Sequence, residues 1–318
     1  MRLTRLLFFA LLNPIWSLNG SAIAAENDLT LDQAIALALQ ANPAIAVVMR
    51  EREVESAQAL QAASRPNPTL SGQVEDFRSQ NRIATIAISQ QLETAGKRDK
   101  RMAAADATLS MADADISITR AEISAKTYAA FYQVLAAQQA QALAQELLKI
   151  STQSKDSTAK RVLAGKVSPV EETKAKVAEA GLKIDLASAS QQLVSAKQRL
   201  ASLWAKSIKS NNHADFIAVG ALEKFSNIVM LDDLMAQLAD SPRLTKASLA
   251  ISQKQALSAI EQSKQTPDVT VSLGARRNEE LGGITQAIIG LSIPIPLFDK
   301  NQGNLQSARA RDFQSIDE

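Results

Sequence analysis

Apolar and polar residues alternate along two pairs of short segments, one pair in each half of the chain. In segment 83–92 the apolar positions fall on one face, namely Ala84, Ile86, Ile88 and Leu92. The second half repeats this alternation around Val269, Val271, Leu273, Ala275, Ala287, Ile289, Leu291, Ile293 and Ile295. A period of two predicts strands, and the two pairs predict β-hairpins at about 69–92 and 268–295. Such strands suit an outer-membrane barrel, with a soluble sandwich hairpin as the alternative.

A long helical segment follows the first hairpin. No proline or glycine interrupts residues 99–163, and Met102, Leu109, Ile116 and Ile123 recur at intervals of seven. After a turn at 164–169, a returning helix at 170–206 carries an apolar seam formed by Leu182, Leu186, Leu193, Leu200 and Leu203. At about 1.5 Å per residue, the first helix is a rod on the order of 100 Å long. The helix at 44–64 stacks end-on with the returning helix in this interpretation.

The same plan occurs twice in the chain. Pro43 and Pro68 are 25 positions apart, as are Pro242 and Pro267, and Lys97 matches Lys300 at an offset of 203. A repeat of this length means that one supersecondary plan is used twice. We therefore predict a first structural repeat at 26–206, a linker at 207–228 and a second repeat at 229–318. The fold class is mainly α with a small β part, built from coiled-coil-like helical hairpins and membrane β-hairpins.

The second copy is shorter than the first in this sequence. Its hairpin is followed by the start of a helix, without a second tip or returning helix. The sequence analysis therefore predicts a C-terminally truncated form, whose seam residues lack part of their helical cover. We expect that residues 1–318 alone make no sealed, working channel, and that a separate C-terminal piece would complement them.

Composition and charge exclude several classes of function. Arg2 and Arg5, an apolar run and a small-x-small site at 22–24 predict a secretory signal peptide at 1–25, cleaved after Ala24 or Ala25. The chain has no cysteine and one histidine, His213 in the linker, so we expect no metal site. A net charge of +2 without a basic stripe gives no indication of nucleic acid binding. No catalytic constellation or cofactor motif is present, so we expect neither an enzyme nor a cofactor.

The chain resembles the TolC-like outer-membrane efflux family across residues 29–318. The matching segments are LTLDQAIALALQANP at 29–43, PNPTL at 66–70, GKR at 96–98, AGKVS at 164–168 and PIPLFDKNQG at 294–303. The paired GKR and PLFDKNQG elements resemble the CzcC branch, the outer-membrane partners of heavy-metal resistance-nodulation-division pumps. The resemblance implies a homotrimer in outer-membrane lipid, with a twelve-stranded barrel and a periplasmic tunnel of helices. It also implies two protein partners, a periplasmic adaptor and an inner-membrane pump of the resistance-nodulation-division class.

Carried over by position, the turn between the long helices is the adaptor-docking tip, with Arg161, Gly165 and Ser168. The resemblance makes Glu171 a candidate acid near the tunnel constriction. Gly165 also fits a plain role as a helix C-cap, and Arg161 and Glu171 fit solvated helix charges equally well. A periplasmic coiled-coil adaptor or scaffold without a channel is the alternative function, although an adaptor would carry one helical hairpin instead of a duplicated plan.

Overall fold

Capping residues and prolines divide the chain into its elements. The computed structural model describes residues 28–76, 78–204, 215–222 and 230–317. The predicted signal peptide, His213 and most of the predicted linker lie outside these residues. Thr30 and Gln33 form a reciprocal capping box at the first helix, and Asn42, Ser168 and Ser241 each cap a helix that begins with proline. The helices are α1 (Leu31–Ala41), α2 (Pro43–Ala62), α3 (Lys97–Leu163), α4 (Pro169–Ala201), α5 (Leu231–Ala239), α6 (Pro242–Ser263) and α7 (Gln302–Asp317).

The strands form one large sheet and one small one. They are β1 (Asp28–Leu29), β2 (Thr69–Glu75), β3 (Ile83–Leu92), β4 (Ile217–Ala218), β5 (Val269–Asn278) and β6 (Ile284–Ser292). The large sheet is antiparallel in the order β2-β3-β5-β6, so the two hairpins join through β3 and β5. Strands β1 and β4 pair in parallel beside the helices. The mainly helical fold class with paired hairpins is thereby confirmed.

Helix α3 is the axis on which the other helices pack. Its first part lies between α2 and α6, since Arg52 of α2 pairs with Asp113 at 2.5 Å and Lys246 of α6 pairs with Asp115 at 2.6 Å. Its far part packs on α4, where the Gln141 side-chain amide donates to Ser190 Oγ at 3.0 Å. Between these parts lies a buried core, formed by Leu29, Ala34, Phe131, Val134, Leu135, Ala196, Leu200, Ala201, Phe216 and Ala218.

Helices α2 and α4 meet end-on beside α3. The Asn42 side-chain amide, at the junction of α1 and α2, donates to the Leu203 carbonyl at 2.7 Å. Helix α4 ends at Ala201, five residues before the predicted end, because residues 202–204 form a turn that receives this contact. The two shorter helices together therefore run along most of the long one.

The seam predicted along α3 is only partly correct. Of its four residues, Ile123 is buried while Met102, Leu109 and Ile116 are half-buried. The buried positions along α3 instead include many alanines, namely Ala104, Ala112, Ala114 and Ala144. The physical reason is that α3 contacts four helices on different faces along its length, so no single seven-residue stripe carries the packing.

Candidate functional site

One face of the large sheet is apolar and exposed. The register places Ile88 opposite Leu70 on one side and opposite Leu273 on the other. Leu273 in turn lies opposite Ile289, so an apolar row crosses all four strands. Ile88 remains 49% exposed and Ile289 79% exposed, so no part of the described chain covers this row. An exposed apolar face of this extent indicates contact with lipid or protein.

The opposite face of the sheet is polar and carries charge. Arg276 donates to Thr85 Oγ1 at 3.4 Å, and its guanidinium lies 3.8 Å from the Glu75 carboxylate. The neighbouring positions on this face are small or polar, including Ser89, Ser272, Gly274 and Gly290. The sheet therefore has one apolar face and one polar face, the pattern that strands of an outer-membrane barrel show.

Both edges of the sheet are open within the described residues. Strand β2 pairs only with β3, and β6 pairs only with β5. An open edge presents unpaired backbone N–H and C=O groups, which are costly in lipid because no water is present to bind them. The sheet in a membrane therefore requires further strands at β2 and β6.

A partly buried ion pair joins the two repeats where the sheet meets the helices. The Lys97 ammonium lies 2.5 Å from the Asp268 carboxylate, and their side chains are 13% and 17% exposed. Asp268 also accepts hydrogen bonds from the Thr94 backbone N–H and the Gln91 side-chain amide. Burial raises the pKa of Asp268, but the hydrogen bond from the Lys97 ammonium, together with those from Thr94 and Gln91, outweighs burial and holds the pKa below its ordinary value. Sequence reasoning missed this pair because neither residue signals a partner in the other repeat.

At the opposite end of α3, Gly165 terminates the helix. Its φ of +67° is left-handed. Its N–H donates to the Val162 carbonyl, and the Lys166 N–H donates to the Arg161 carbonyl, each at 2.9 Å. These two bonds form a Schellman motif, in which glycine takes the left-handed position at low cost. Ser168 then caps α4, its hydroxyl accepting from the Val170 N–H at 3.4 Å.

The tip residues named from the sequence lie together at this turn and are exposed. Among the described residues, the Arg161 guanidinium has no hydrogen-bond or ion-pair partner. Glu171 pairs with Lys174 at 2.8 Å in an exposed i,i+3 contact of α4. Leu163 is 88% exposed and Val170 59% exposed, so the tip also presents apolar side chains. Neither Leu163 nor Val170 was singled out from the sequence, although a leucine close to a helix-ending glycine could have indicated an exposed apolar side chain at the tip.

Behind the tip, a buried carboxylate fixes α3 against α4. Glu179 of α4 accepts hydrogen bonds from the Lys155 ammonium at 3.0 Å and from the Thr152 hydroxyl at 3.1 Å. The hydrogen bond from Lys155 holds the pKa of Glu179 below its ordinary value. The tip is therefore presented on a helical pair that is tied together within four turns of its end.

The described residues contain no group of three or more His, Cys, Asp or Glu side chains placed to hold a metal ion. No single helix in the same ranges is long and apolar enough to cross a membrane, while the pair α1 and α2, bent by 42°, meets the criteria of length and composition together.

Comparison with known proteins agrees with this geometry. The sequence profile of the outer membrane efflux protein family matches residues 34–206. The cobalt-zinc-cadmium resistance protein CzcC of Cupriavidus metallidurans is 37% identical over 294 residues, which cover 92% of this chain and 69% of that protein. The nickel-cobalt-cadmium resistance protein NccC of Alcaligenes xylosoxydans xylosoxydans is 26% identical, covering 92% of this chain and 66% of that protein.

A solved structure supports the same conclusion at the level of fold. The outer membrane protein VceC of Vibrio cholerae superposes with a TM-score of 0.69 at 21% identity, covering 90% of this chain and 73% of that one. The family match spans more than half of the chain, and CzcC matches most of it. With its exposed sheet and its long helical rod, this chain belongs to the outer membrane efflux protein family.

Proposed function

We propose that the protein is the outer-membrane channel of a tripartite efflux pump, working as a homotrimer that exports its cargo across the periplasm and outer membrane. The observation that carries this proposal is the open four-stranded sheet, apolar on one face and polar on the other, at the end of a rod about 100 Å long. The sheet has the dimensions to cross the membrane, and the rod has the length to extend into the periplasm. The proposal gives the chain no catalytic role.

The trimer follows from the strand count. Four strands cannot close a barrel, and a barrel narrower than about eight strands has no room for a channel. Three copies supply twelve strands and satisfy every open edge, β2 of one copy pairing with β6 of the next. Arg276 and Glu75 then face the lumen, and the row that contains Ile88 and Leu273 faces lipid.

The tip is the proposed contact with a periplasmic adaptor protein. It lies at the end of α3 remote from the sheet, and it combines the unpaired Arg161 guanidinium with exposed Leu163 and Val170. Exposed apolar side chains beside a charge are typical of protein interfaces. Glu171 lies in the first turn of α4, where we propose that it faces the tunnel constriction.

The proposed cargo is metal cations delivered by an inner-membrane pump of the resistance-nodulation-division class. The support is the likeness to CzcC and NccC, which are named as metal resistance proteins. The chain's role in this proposal is that of a conduit, with cargo selection made by the pump. The alternative of an adaptor without a channel is not favoured. The duplicated hairpins leave an exposed apolar sheet face that suits contact with lipid, and a periplasmic adaptor does not require such a face.

The tip assignment predicts a specific loss of efflux. Gly165→Pro is incompatible with the φ of +67° and removes the N–H that binds the Val162 carbonyl. In a full-length version of this protein, we expect metal resistance to fall to the level of cells that lack the protein, while the amount of trimer in the outer membrane is unchanged. Resistance assays and trimer immunoblots measure the two quantities.

Asparagine supplies the matched control at the same position. Asparagine tolerates the left-handed region, and a Cβ at residue 165 meets no atom within 4 Å. Gly165→Asn should therefore retain resistance. Wild-type resistance in Gly165→Pro would overturn the tip assignment, and loss of trimer in that variant would make the defect one of folding instead of docking.

A further inference from the structure

The two connections between strand and long helix differ in length and chemistry. In the first repeat, four residues at 93–96 join β3 to α3. In the second repeat, nine residues at 293–301 join β6 to α7. The longer connection begins with the segment 293–298, which we call the apolar loop, and it contains Ile293, Pro294, Ile295, Pro296, Leu297 and Phe298. Phe298 is 92% exposed and Ile295 77% exposed, so no described part of the chain covers it.

The shorter connection shows what such a loop does inside one chain. The Thr94 hydroxyl donates to the Pro267 carbonyl at 2.8 Å, and the Thr94 N–H donates to the Asp268 carboxylate at 3.0 Å. The connection of the first repeat therefore covers the segment that leads into β5. As a result, Pro267 and Asp268 are half-buried.

The equivalent segment leading into β2 has no such cover. Pro68 lies 199 positions before Pro267, the same spacing that separates Pro43 from Pro242. Pro68 and Thr69 are exposed, in contrast to their half-buried counterparts Pro267 and Asp268, and Asn67 beside them is exposed as well. In one copy, therefore, an uncovered apolar loop lies at the β6 edge and an uncovered segment at 67–69 lies at the β2 edge.

We propose that the apolar loop of one copy packs on residues 67–69 of the next copy, an interface that rests on the proposed trimer. The pairing of β3 with β5 inside the chain is the template for the pairing of β6 with β2 between copies. Both sides of the contact differ in residue type between the two cases. Thr69 follows Pro68 at the position where Asp268 follows Pro267. The apolar loop has Leu297 and Phe298 where the shorter connection has Thr94. A polar clamp within the chain thus becomes an apolar contact between chains.

The C-terminal end of the connection is bound to the helices and not to the sheet. The Asn301 side-chain amide donates to the Glu261 carbonyl at 2.9 Å and to the Glu261 carboxylate at 2.7 Å. These hydrogen bonds anchor the end of the connection to α6, on the helical side of the last residue of β6. The position favours contact with the neighbouring protein over insertion among lipid chains.

Cysteine cross-linking tests the contact, and the chain itself contains no cysteine. We expect the double variant Asn67→Cys with Phe298→Cys, treated with a short bismaleimide in isolated membranes, to give covalent dimers and trimers. Each single variant should give no covalent dimer or trimer, since the equivalent residues of three copies lie far apart in the proposed trimer. In addition, Phe298→Ser should lower the temperature at which the trimer dissociates in detergent, and Phe298→Leu should preserve it.

A strand-edge pair separates failure of this contact from failure of the trimer. Gln73→Cys with Ser292→Cys places one thiol on each open edge. Within the chain, Ser89 of β3 pairs with Ser272 of β5. Ser292 is the repeat equivalent of Ser89 at an offset of 203, and Gln73 is the repeat equivalent of Ser272 at an offset of 199, so we expect them to face each other between copies. If this pair cross-links and the loop pair does not, the proposed contact is wrong and the trimer stands. If neither pair cross-links, the proposed assembly is wrong as well. Labelling of Phe298→Cys in the intact trimer by a lipid-soluble maleimide would place the loop in lipid and would also overturn the contact.

Discussion

Ile88→Arg is expected to remove the protein from the outer membrane. Ile88 lies at the centre of β3, opposite Leu70 and Leu273, on the apolar face that we assign to lipid. An arginine near the bilayer midplane costs about 2–4 kcal/mol on the lipid face of a barrel. Three copies carry the substitution in each trimer, so the summed cost of about 6–12 kcal/mol is comparable with the whole stability of a typical folded protein, about 5–15 kcal/mol. Membrane fractionation followed by immunoblotting measures the loss.

The next residue along the same strand provides the control. Ser89 lies on the opposite face, opposite Ser272, where a charged side chain reaches the aqueous lumen. Ser89→Arg should reach the outer membrane in normal amount. Equal loss in both variants would show that β3 does not separate lipid from water, and normal insertion of Ile88→Arg would contradict the assigned faces directly.

Asp268→Ala is expected to loosen the junction between sheet and helices. The substitution leaves the Lys97 ammonium, the Thr94 N–H and the Gln91 amide without their shared acceptor. We expect a loss of about 2–3 kcal/mol per copy, less than for a fully buried pair because the side chains keep some exposure. The temperature at which the detergent-extracted trimer dissociates should fall accordingly.

A double variant and the pH dependence distinguish this loss from general damage. Lys97→Met with Asp268→Leu should recover the part of the loss that comes from the unpaired Lys97 ammonium, because an ion pair and an apolar pair of similar size are often equivalent. The Thr94 N–H and the Gln91 amide still lack their acceptor in this variant, so recovery should be partial. The pKa of Asp268 is lowered in the folded protein, so its contribution is present above the pKa of the unfolded chain and is lost as pH falls through the folded value. Asp268→Ala should therefore flatten the acid side of the stability profile. An unchanged acid profile would contradict the role given to Asp268.

The elements that sequence alone predicted well are those with strong local signals. Alternation around Ile86 and Ile88 predicted β3, and the proline at Pro169 together with Gly165 predicted the turn between the long helices. Helix capping by Thr30 was also readable, since a capping box depends on residues three apart. These features arise from neighbours in the chain, which is why one sequence suffices.

Contacts between the repeats were not predictable in the same way. The pairing of β3 with β5 brings together residues almost 200 positions apart, and nothing near Lys97 indicates Asp268 as its partner. The packing of α3 through Ala104 and Ala112 was missed because several helices share its surface. The docking role of Arg161 and the constriction role of Glu171 depend on contacts with other chains, so the sequence gives both roles only as predictions.

The central claim is that three open sheets close into one barrel in the outer membrane. Cross-linking of the edge pair Gln73→Cys with Ser292→Cys in isolated outer membranes tests this most directly, because each link joins β2 of one copy to β6 of another. We expect a ladder of monomer, dimer and trimer that ends at the trimer, and monomer alone from each single variant. Monomers alone, or a ladder that continues beyond the trimer, would contradict it.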